Sequence, residues 1–242
     1  MYVRNLAAAD PDLADEHPCS GCPVRQFAVC NALTQVELAD YRQSGVGRRL
    51  AEGEALCWQG DAATHVYSVV RGTLRLSKLL ADGRRQVTGF AFPGDFLGVT
   101  MEDEHPFTAE AVSDVELCQF SRARFDSFVE AHPHMERRLY SAAARELSAA
   151  REQLVLLGRK TAAERLASFL LQMAQKGERP ADPQACATLP MSRSDIADYL
   201  GLRIETISRE IGALKASGLV RMTGTHEFRI LDRAGLERRA AG

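Results

Sequence analysis

The sequence predicts an α+β chain in which an N-terminal jelly-roll β-barrel is followed by a long helix and a C-terminal winged helix-turn-helix. Three observations predict this order. Short apolar-alternating runs separated by glycine extend from about residue 45 to 122, and a helical apolar pattern runs from about His134 to Leu157. Two short helical patterns then meet at a tight turn between Met191 and Val220. A chain of 242 residues is long enough to give one or two domains a core each.

Turn signals divide the β-rich stretch into strands. The run from His65 to Phe90 predicts two or three strands with a hairpin at Asp82-Gly83. The segment PGDFLG, Pro93–Gly98, is expected to be a turn between two further strands. About eight strands in about eighty residues favour a jelly-roll sandwich or barrel.

The long helix is predicted to begin at His132-Pro133 and to carry an a/d seam. Apolar residues along it recur at alternating steps of three and four, which suits pairing with a second copy of the chain. The seam consists of Tyr140, Ala143, Leu147, Ala150, Leu154 and Leu157. The alternative is a helix that packs only on its own β domain. We expect a homodimer, because a two-fold symmetric protein would match an inverted-repeat DNA site.

The helix-turn-helix shows clear start and stop signals. Ser192 is the expected N-cap of its first helix, and Asp195 is placed to complete a capping box. Gly201 is where that helix should stop in a left-handed cap. A second helix is predicted from about Ile204 to about Ser217, and its length suits a DNA major groove. Another helix, from Thr161 to Gly177, and a hairpin turning near Gly224 complete a winged domain.

The exposed face of the second helix carries the chemistry of base recognition. Glu205, Ser208 and Arg209 share its first two turns, and Arg203 and Ile204, where the helix begins, are further candidates for DNA contact. Arginine can pair with guanine through two hydrogen bonds, and glutamate can accept one from the amino group of cytosine. The alternative is a solvated face with an internal Glu-Arg ion pair. Behind a well-formed first helix and turn, DNA reading is the favoured interpretation.

The distribution of charge differs between the N-terminal part of the chain and the part that holds the helix-turn-helix. The net charge is −2, but residues 1–150 hold 15 Lys/Arg against 21 Asp/Glu, and residues 151–242 hold 15 against 11. The basic excess therefore lies with the helix-turn-helix, where phosphates would be contacted. The sequence shows neither an apolar run of about eighteen residues nor an N-terminal h-region, which predicts a cytoplasmic location. Six cysteines would stay reduced there; Cys57 and Cys186 are expected to be structural.

Three of the cysteines cluster near the N-terminus. Cys19, Cys22 and Cys30 have the spacing C-x2-C-x7-C, which can place thiolates on one metal ion or cluster. A fourth ligand must come from elsewhere, and Cys118 in the strand DVELCQF is the candidate. Spacing alone leaves an iron–sulfur cluster, zinc, a redox disulfide and unrelated thiols open. The domains expected are a Cys-rich arm at 1–32, a β-roll at 33–130, a dimerisation helix at 131–160 and the DNA-binding domain at 161–242.

Together these features resemble the CRP/FNR superfamily of bacterial transcription regulators, and within it the oxygen-responsive FNR branch. The segment GRKTAAERLASFL resembles the link into the family's DNA-binding domain, and SRSDIADYLGLRIETISR resembles its helix-turn-helix signature. Cys19, Cys22, Cys30 and Cys118 match the four ligands of the branch's [4Fe-4S] cluster. The seven-residue gap before Cys30 resembles the alphaproteobacterial type.

The resemblance implies a function. A cyclic-nucleotide-binding-like β-roll would carry the cluster, and the dimer would bind inverted repeats such as TTGAT…ATCAA. Oxygen would destroy the cluster and dissociate the dimer. Glu205, Ser208 and Arg209 are implied as base readers, and direct contact with RNA polymerase would activate transcription. The resemblance implies a regulator and no enzyme.

Other signals remain as alternatives. Nucleotide-binding relatives hold the cyclic phosphate with an Arg-Ser pair, whereas here no arginine lies between Arg85 and Arg122. A buried phosphate without a cationic partner would be costly. His17 leaves a haem- or nitric-oxide-sensing relative open. A zinc-dependent enzyme is a further alternative, although the chain has no H-E-x-x-H motif.

Overall fold

The computed structural model describes residue 19 and residues 21–98, 102–177 and 186–242. His17 and the rest of the expected arm before Cys19 lie outside these residues. The described chain forms two compact units. The first holds its residues up to Leu147 apart from Arg84–Val87, and the second holds those four and Ser148–Gly242. Across the described residues, no helix has both the length and the apolar character required to cross a membrane.

The first unit is built around a β-roll of two four-stranded antiparallel sheets. Its strands are β1 Gly45–Leu50, β2 Ala55–Cys57, β3 His65–Arg71, β4 Leu74–Leu79, β5 Arg85–Ala91, β6 Phe96–Leu97, β7 Thr108–Ala111 and β8 Val115–Ser121. Their orders are β1-β8-β3-β6 and β2-β7-β4-β5. Between them lies an apolar core that includes Val69, Leu74 and Leu117. The jelly-roll prediction is confirmed, as is the hairpin at Asp82-Gly83, where Gly83 has a φ of 83°.

One detail of the β-roll differs from the prediction. The segment Pro93–Gly98 is not only a turn, because Phe96 and Leu97 form β6 and pair with Ser68 and Tyr67. The turn itself is tightened by Asp95, whose carboxylate accepts a hydrogen bond from the Phe92 N–H at 2.9 Å.

Two short helices of the first unit were not predicted. They are α1 Gln35–Gln43 and α2 Arg122–Ala131, and a 3₁₀ turn at Val29–Ala32 precedes them. A second core packs between these elements and β3, β8 and the start of the long helix. It consists of Val29, Leu33, Leu38, Tyr41, Val66, Phe120, Phe125 and Met135. Neither helix has a strong apolar periodicity, because each buries only a few side chains.

The long helix, α3, runs from Pro133 to Arg159. Proline suits the first helical turn, because its fixed φ is helical and no N–H is needed there. The predicted start at His132-Pro133 is confirmed, and the helix ends two residues after the apolar pattern, which was predicted to run to about Leu157.

The second unit is a winged helix-turn-helix. Its further elements are α4 Ala162–Gly177, β9 Ala187–Thr188, α5 Arg193–Leu200, α6 Ile204–Ala216, β10 Val220–Met222, β11 Glu227–Ile230 and α7 Arg233–Ala241. The predicted wing is β10 and β11, and Gly224 between them has a φ of 109°. Strand β9, which pairs with β11, and helix α7 were not predicted. Phe169, Leu200, Ile207, Phe228 and Leu236 are fully buried.

Candidate DNA-reading helix and cysteine centre

The first helix of the helix-turn-helix begins as the sequence predicts. The Asp195 N–H donates to Ser192 Oγ at 3.1 Å, and the Asp195 carboxylate accepts from the Ser192 N–H at 3.1 Å. This reciprocal pair is a capping box and satisfies two helix-start donors. At the other end, Gly201 adopts a left-handed φ of 60°, and its N–H donates to the Ala197 carbonyl. The chain can therefore turn sharply into α6.

Arg165 on α4 fixes the position of that turn. Its Nη1 donates to the Leu200 carbonyl at 2.8 Å, Nη2 to the Leu157 carbonyl at 2.9 Å, and Nε to the Lys160 carbonyl at 2.9 Å. Helix C-termini leave carbonyls without intrahelical partners. One guanidinium thus satisfies the ends of both α3 and α5, a role that the sequence analysis did not assign.

Helix α6 separates a buried face from an exposed one. Ile207, Ile211 and Leu214 are buried, which orients the helix on the unit. The five candidate DNA-contacting residues are exposed, namely Arg203, Ile204, Glu205, Ser208 and Arg209. The Arg209 side chain is 70% exposed, and its Nε lies 3.6 Å from Glu210 Oε1 rather than pairing with Glu205. The face is therefore open to a partner.

The structure brings the four candidate cysteine ligands to one cavity in the first unit. Cys19, Cys22 and Cys30 come from turns that precede α1, whereas Cys118 lies within β8, between β1 and β3. The cavity measures about 40 Å³. Its remaining lining is Val24, Arg25, Ala28, Val29, Leu38, Tyr41, Arg42, Ser68, Val70 and Phe120. Tertiary folding thus joins thiols that are far apart in sequence.

Burial and mutual proximity raise the pKa of three of these four thiols. Burial raises the pKa of Cys118 to about 12 and that of Cys30 to about 11. Burial also raises the pKa of Cys19. Neighbouring thiols of the group add to each increase, because one thiolate disfavours another nearby. The thiols of Cys19, Cys30 and Cys118 are therefore protonated at neutral pH, and a positively charged centre would be needed to hold them as thiolates.

The other two cysteines lie apart from this cavity. Cys57 is buried in the β-roll core, as expected of a structural residue. Cys186 lies in the second unit, where Arg229 Nη2 is 3.7 Å from its sulfur. Among the residues that the structure describes, no three His, Cys, Asp or Glu side chains are arranged to hold a single metal ion.

Helix α1 supplies two polar side chains to the cavity that sequence reasoning missed. Arg42 is 7% exposed and Tyr41 is 4% exposed. Arg42 Nε and Nη1, and the Tyr41 hydroxyl, have no hydrogen-bond partner among the described residues. The helix begins with a capping box between Thr34 and Glu37, so Thr-x-x-Glu is the sequence signal that could have revealed it.

The seam of α3 is largely open in a single chain. Tyr140 is 78% exposed, Leu147 53% and Leu154 72%, and Ala143 and Ala150 are exposed as well. Leu157 is half-buried, because it packs beside Gly201 within the second unit. Large apolar side chains at this exposure, repeating every seven residues, form a surface suited to another helix.

Comparison with known proteins identifies the family. A model described as "Cyclic nucleotide-binding domain" matches residues 47–132, and one described as "Crp-like helix-turn-helix domain" matches residues 164–239. The chain is 46% identical to the nitrogen fixation regulation protein FixK of Bradyrhizobium diazoefficiens over 209 residues, which cover 84% of this chain and 86% of that protein. It belongs to the CRP/FNR family of transcription regulators.

Other members of the CRP/FNR family agree with this assignment. The transcriptional activator protein FnrL of Cereibacter sphaeroides is 37% identical, with 91% of this chain and 90% of that protein covered. The structure of FixK2 from Bradyrhizobium japonicum superposes with a TM-score of 0.76 at 35% identity, covering 82% of this chain and 98% of that one. As a CRP/FNR regulator, the chain is a DNA-binding protein and not an enzyme.

Proposed function

We propose that the chain is an oxygen-responsive transcriptional activator whose DNA binding depends on a [4Fe-4S] cluster held by Cys19, Cys22, Cys30 and Cys118. The active form is a homodimer that binds inverted repeats of the TTGAT…ATCAA type. Oxygen destroys the cluster and returns the protein to a form that does not bind DNA. The observation that carries this proposal is the convergence of the four thiols on one cavity.

The donor set fits a cluster. Four thiolates are the ligands that a cubane iron–sulfur centre uses, and each binds a different iron atom. A cluster therefore requires four thiols around one cavity. It does not require four thiols that meet at one point, as the ligands of a single metal ion do. When bound, the group supplies oxygen-sensitive iron–thiolate bonds. Cyclic nucleotide is disfavoured, because no arginine between Arg85 and Arg122 is available for its phosphate.

The second core of the first unit offers a route from the cysteines to α3. Cys19, Cys30 and Cys118 pack against this core, which also contains Met135 in the first turn of α3. Met135 is fully buried there. Close-packed cores transmit displacements because they leave few voids. Release of the thiols would loosen the arm from the core and with it the start of the long helix.

Dimerisation through α3 would make DNA binding depend on the packing of this core. The exposed seam residues supply an apolar surface on each copy. Pairing two copies by a two-fold axis places two α6 helices at two half-sites of an inverted repeat. Arg209 and Glu205 would then read base edges in the major groove, with Ser208 beside them.

Activation is supported by the names of relatives. FnrL of Cereibacter sphaeroides and FnrA of Stutzerimonas stutzeri are both described as transcriptional activator proteins, at 37% and 36% identity. We extend this role to the present chain, with the bound dimer contacting RNA polymerase directly.

Anaerobic purification tests the proposal. The wild-type chain should contain four irons and four sulfides, show the visible absorption of iron–thiolate charge transfer, and bind an inverted-repeat duplex. Air should remove the absorption, the dimer and the DNA binding together. Cys118→Ser should abolish iron binding and oxygen-sensitive DNA binding, whereas Cys186→Ser, outside the cavity, should retain both.

Two results would contradict the proposal. A colourless protein that holds one tightly bound zinc would assign the cysteines to a different centre. DNA binding that stays oxygen-sensitive in Cys118→Ser would remove Cys118 from the ligand set.

A further inference from the structure

Arg42 is a buried cation that lines the cysteine cavity. Its side chain lies on the last turn of α1, is 7% exposed, and lines the cavity together with the four cysteines. Its Nε and Nη1 have no hydrogen-bond partner among the described residues. A buried charge without a partner is strongly unfavourable, so such groups normally face an opposite charge or hydrogen-bond acceptors.

The other arginine of the cavity is placed differently. Arg25 is half-buried and its Nη2 donates to the Leu33 carbonyl at 3.4 Å, although its Nε, like two nitrogens of Arg42, has no hydrogen-bond partner among the described residues. The positive charge of Arg42 lowers the pKa of Cys19 in the arm and of Cys118 in β8, against the larger increase that burial causes. Arg42 therefore lies near cysteines from both sides of the cavity.

Helix α1 is held in place by its own capping box and by apolar packing. Its capping box joins Thr34 and Glu37, and Leu38 and Tyr41 are buried in the second core. Tyr41 stacks on Phe120 with ring centroids 4.3 Å apart. Arg42 is thus presented to the cavity by a helix that apolar packing has already fixed.

We propose that Arg42 is the counter-charge of the metal centre bound by the four cysteines, and that it tunes the stability and the reduction potential of that centre. The inference rests on the proposed function. Four thiolates bring more negative charge than either an iron–sulfur core or a zinc ion offsets, so the assembled centre is an anion. A guanidinium beside it stabilises that anion and favours its more negative, reduced form.

The apoprotein distinguishes a counter-charge from a structural residue. Replacing Arg42 should destabilise the apoprotein only if Arg42 has a structural role. Without the centre, Arg42 is a buried charge, and two of its nitrogens have no hydrogen-bond partner in the part of the chain that the structure describes, so Arg42→Gln should leave the thermal stability of the apoprotein unchanged or raise it. With the centre, the same change should weaken iron retention by roughly 10–100-fold, as outer partners of metal sites typically do. Arg42→Lys keeps the charge and should lose less.

The experiment compares full-length wild type, Arg42→Gln, Arg42→Lys and Arg49→Gln. Arg49 is the matched control, because it is an exposed arginine of the same unit, paired with Glu116 at 2.9 Å. Each protein is reconstituted under argon with ferrous iron and sulfide. Iron per chain, the rate of iron loss to a chelator and the midpoint potential are measured, with thermal unfolding of each apoprotein.

We expect faster iron loss and a lower midpoint potential in Arg42→Gln, an intermediate result in Arg42→Lys and wild-type behaviour in Arg49→Gln. A wild-type chain that takes up no iron would overturn the proposed function itself. If wild type loads and Arg42→Gln matches its iron retention and potential, the inference on Arg42 is wrong. Unfolding of the Arg42→Gln apoprotein would also overturn it, by making Arg42 structural.

Discussion

Arg165 Nη1 donates a hydrogen bond of 2.8 Å to the Leu200 carbonyl, the last residue of the first helix of the helix-turn-helix. The bond ties α4 to the turn that aims α6. Since the same guanidinium also binds the Leu157 and Lys160 carbonyls, one side chain sets where helix α6 begins.

Arg165→Met should therefore destabilise the DNA-binding unit. Three carbonyls would lose a charged donor, and hydrogen bonds to charged groups contribute about 1.5–3 kcal/mol each, with incomplete additivity. We expect a loss of about 2–4 kcal/mol in urea unfolding, together with weaker DNA binding. Arg193→Met, at an exposed position of α5, is the control and should change stability by less than about 0.5 kcal/mol. Equal effects of the two variants would contradict the assigned role.

Gly201→Ala should cost stability through the backbone alone. Gly201 has a φ of 60°, and an added Cβ would meet Arg165 Nη1 and Leu157 Cδ2 at 3.5 Å, an ordinary contact distance. The cost is then the left-handed strain, about 1–2 kcal/mol. Gly212→Ala is the matched control within α6, where a Cβ would meet nothing within 4 Å, and it should stabilise by about 0.5–1 kcal/mol. Urea unfolding of both variants should show opposite signs.

Leu154→Glu should break the proposed dimer without unfolding the monomer. Leu154 is 72% exposed in the single chain, so a charge there meets water until a second copy approaches. Dimerisation should weaken by about 2 kcal/mol or more, as for other central interface residues. Sedimentation of the anaerobic protein measures this, with Ala149→Glu as an exposed control off the seam. A dimer that survives Leu154→Glu but not Ala149→Glu would place the interface on another face of α3.

Arg209→Ala should reduce both the overall affinity for DNA and the discrimination between DNA sequences. If Arg209 pairs with one guanine, its loss costs about 1–3 kcal/mol at that position and relaxes the preference there. Arg209→Lys keeps the charge but loses the planar fork, so it should retain salt-dependent affinity and still lose discrimination. Anisotropy titrations on the inverted repeat and on duplexes with single base changes, each at several salt concentrations, measure discrimination and salt-dependent affinity. A uniform loss across all duplexes would instead assign Arg209 to phosphate contact.

The apoprotein should lose stability in alkaline solution. Burial raises the folded-state pKa of Cys30 to about 11 and of Cys118 to about 12, from an ordinary 9.0. Above pH 9 the unfolded chain therefore releases these protons first, and unfolding becomes easier as pH rises toward the folded-state values. Below pH 9 the contribution is fully present. Urea midpoints of the reduced apoprotein, measured from about pH 8 to about pH 11, should fall, and a Cys30→Ala/Cys118→Ala variant should fall less.

Local signals predicted much of the fold. The helix-turn-helix was predicted from helix caps and apolar periodicity, because both act over a few residues. The caps are Ser192 with Asp195 and Gly201, and the apolar spacing is that of Ile207, Ile211 and Leu214. Helix α1 escaped prediction for the opposite reason. Its buried side chains include a charged arginine, so its apolar pattern is weak, and its position depends on packing against distant strands.

The sequence by itself determined the family and predicted helix α6 and the group Cys19, Cys22 and Cys30, because each is marked by a short motif with a local physical cause; Cys118 was a candidate outside any such motif. Only the tertiary structure decided that Cys118 meets the arm, because strand β8 and the turns after Cys19 approach through long-range packing around Tyr41 and Phe120. The same packing buries the guanidinium of Arg42 beside the thiols. The charges that line a cavity depend on which distant segments of the chain enclose it. The spacing of residues along the sequence does not show which segments these are.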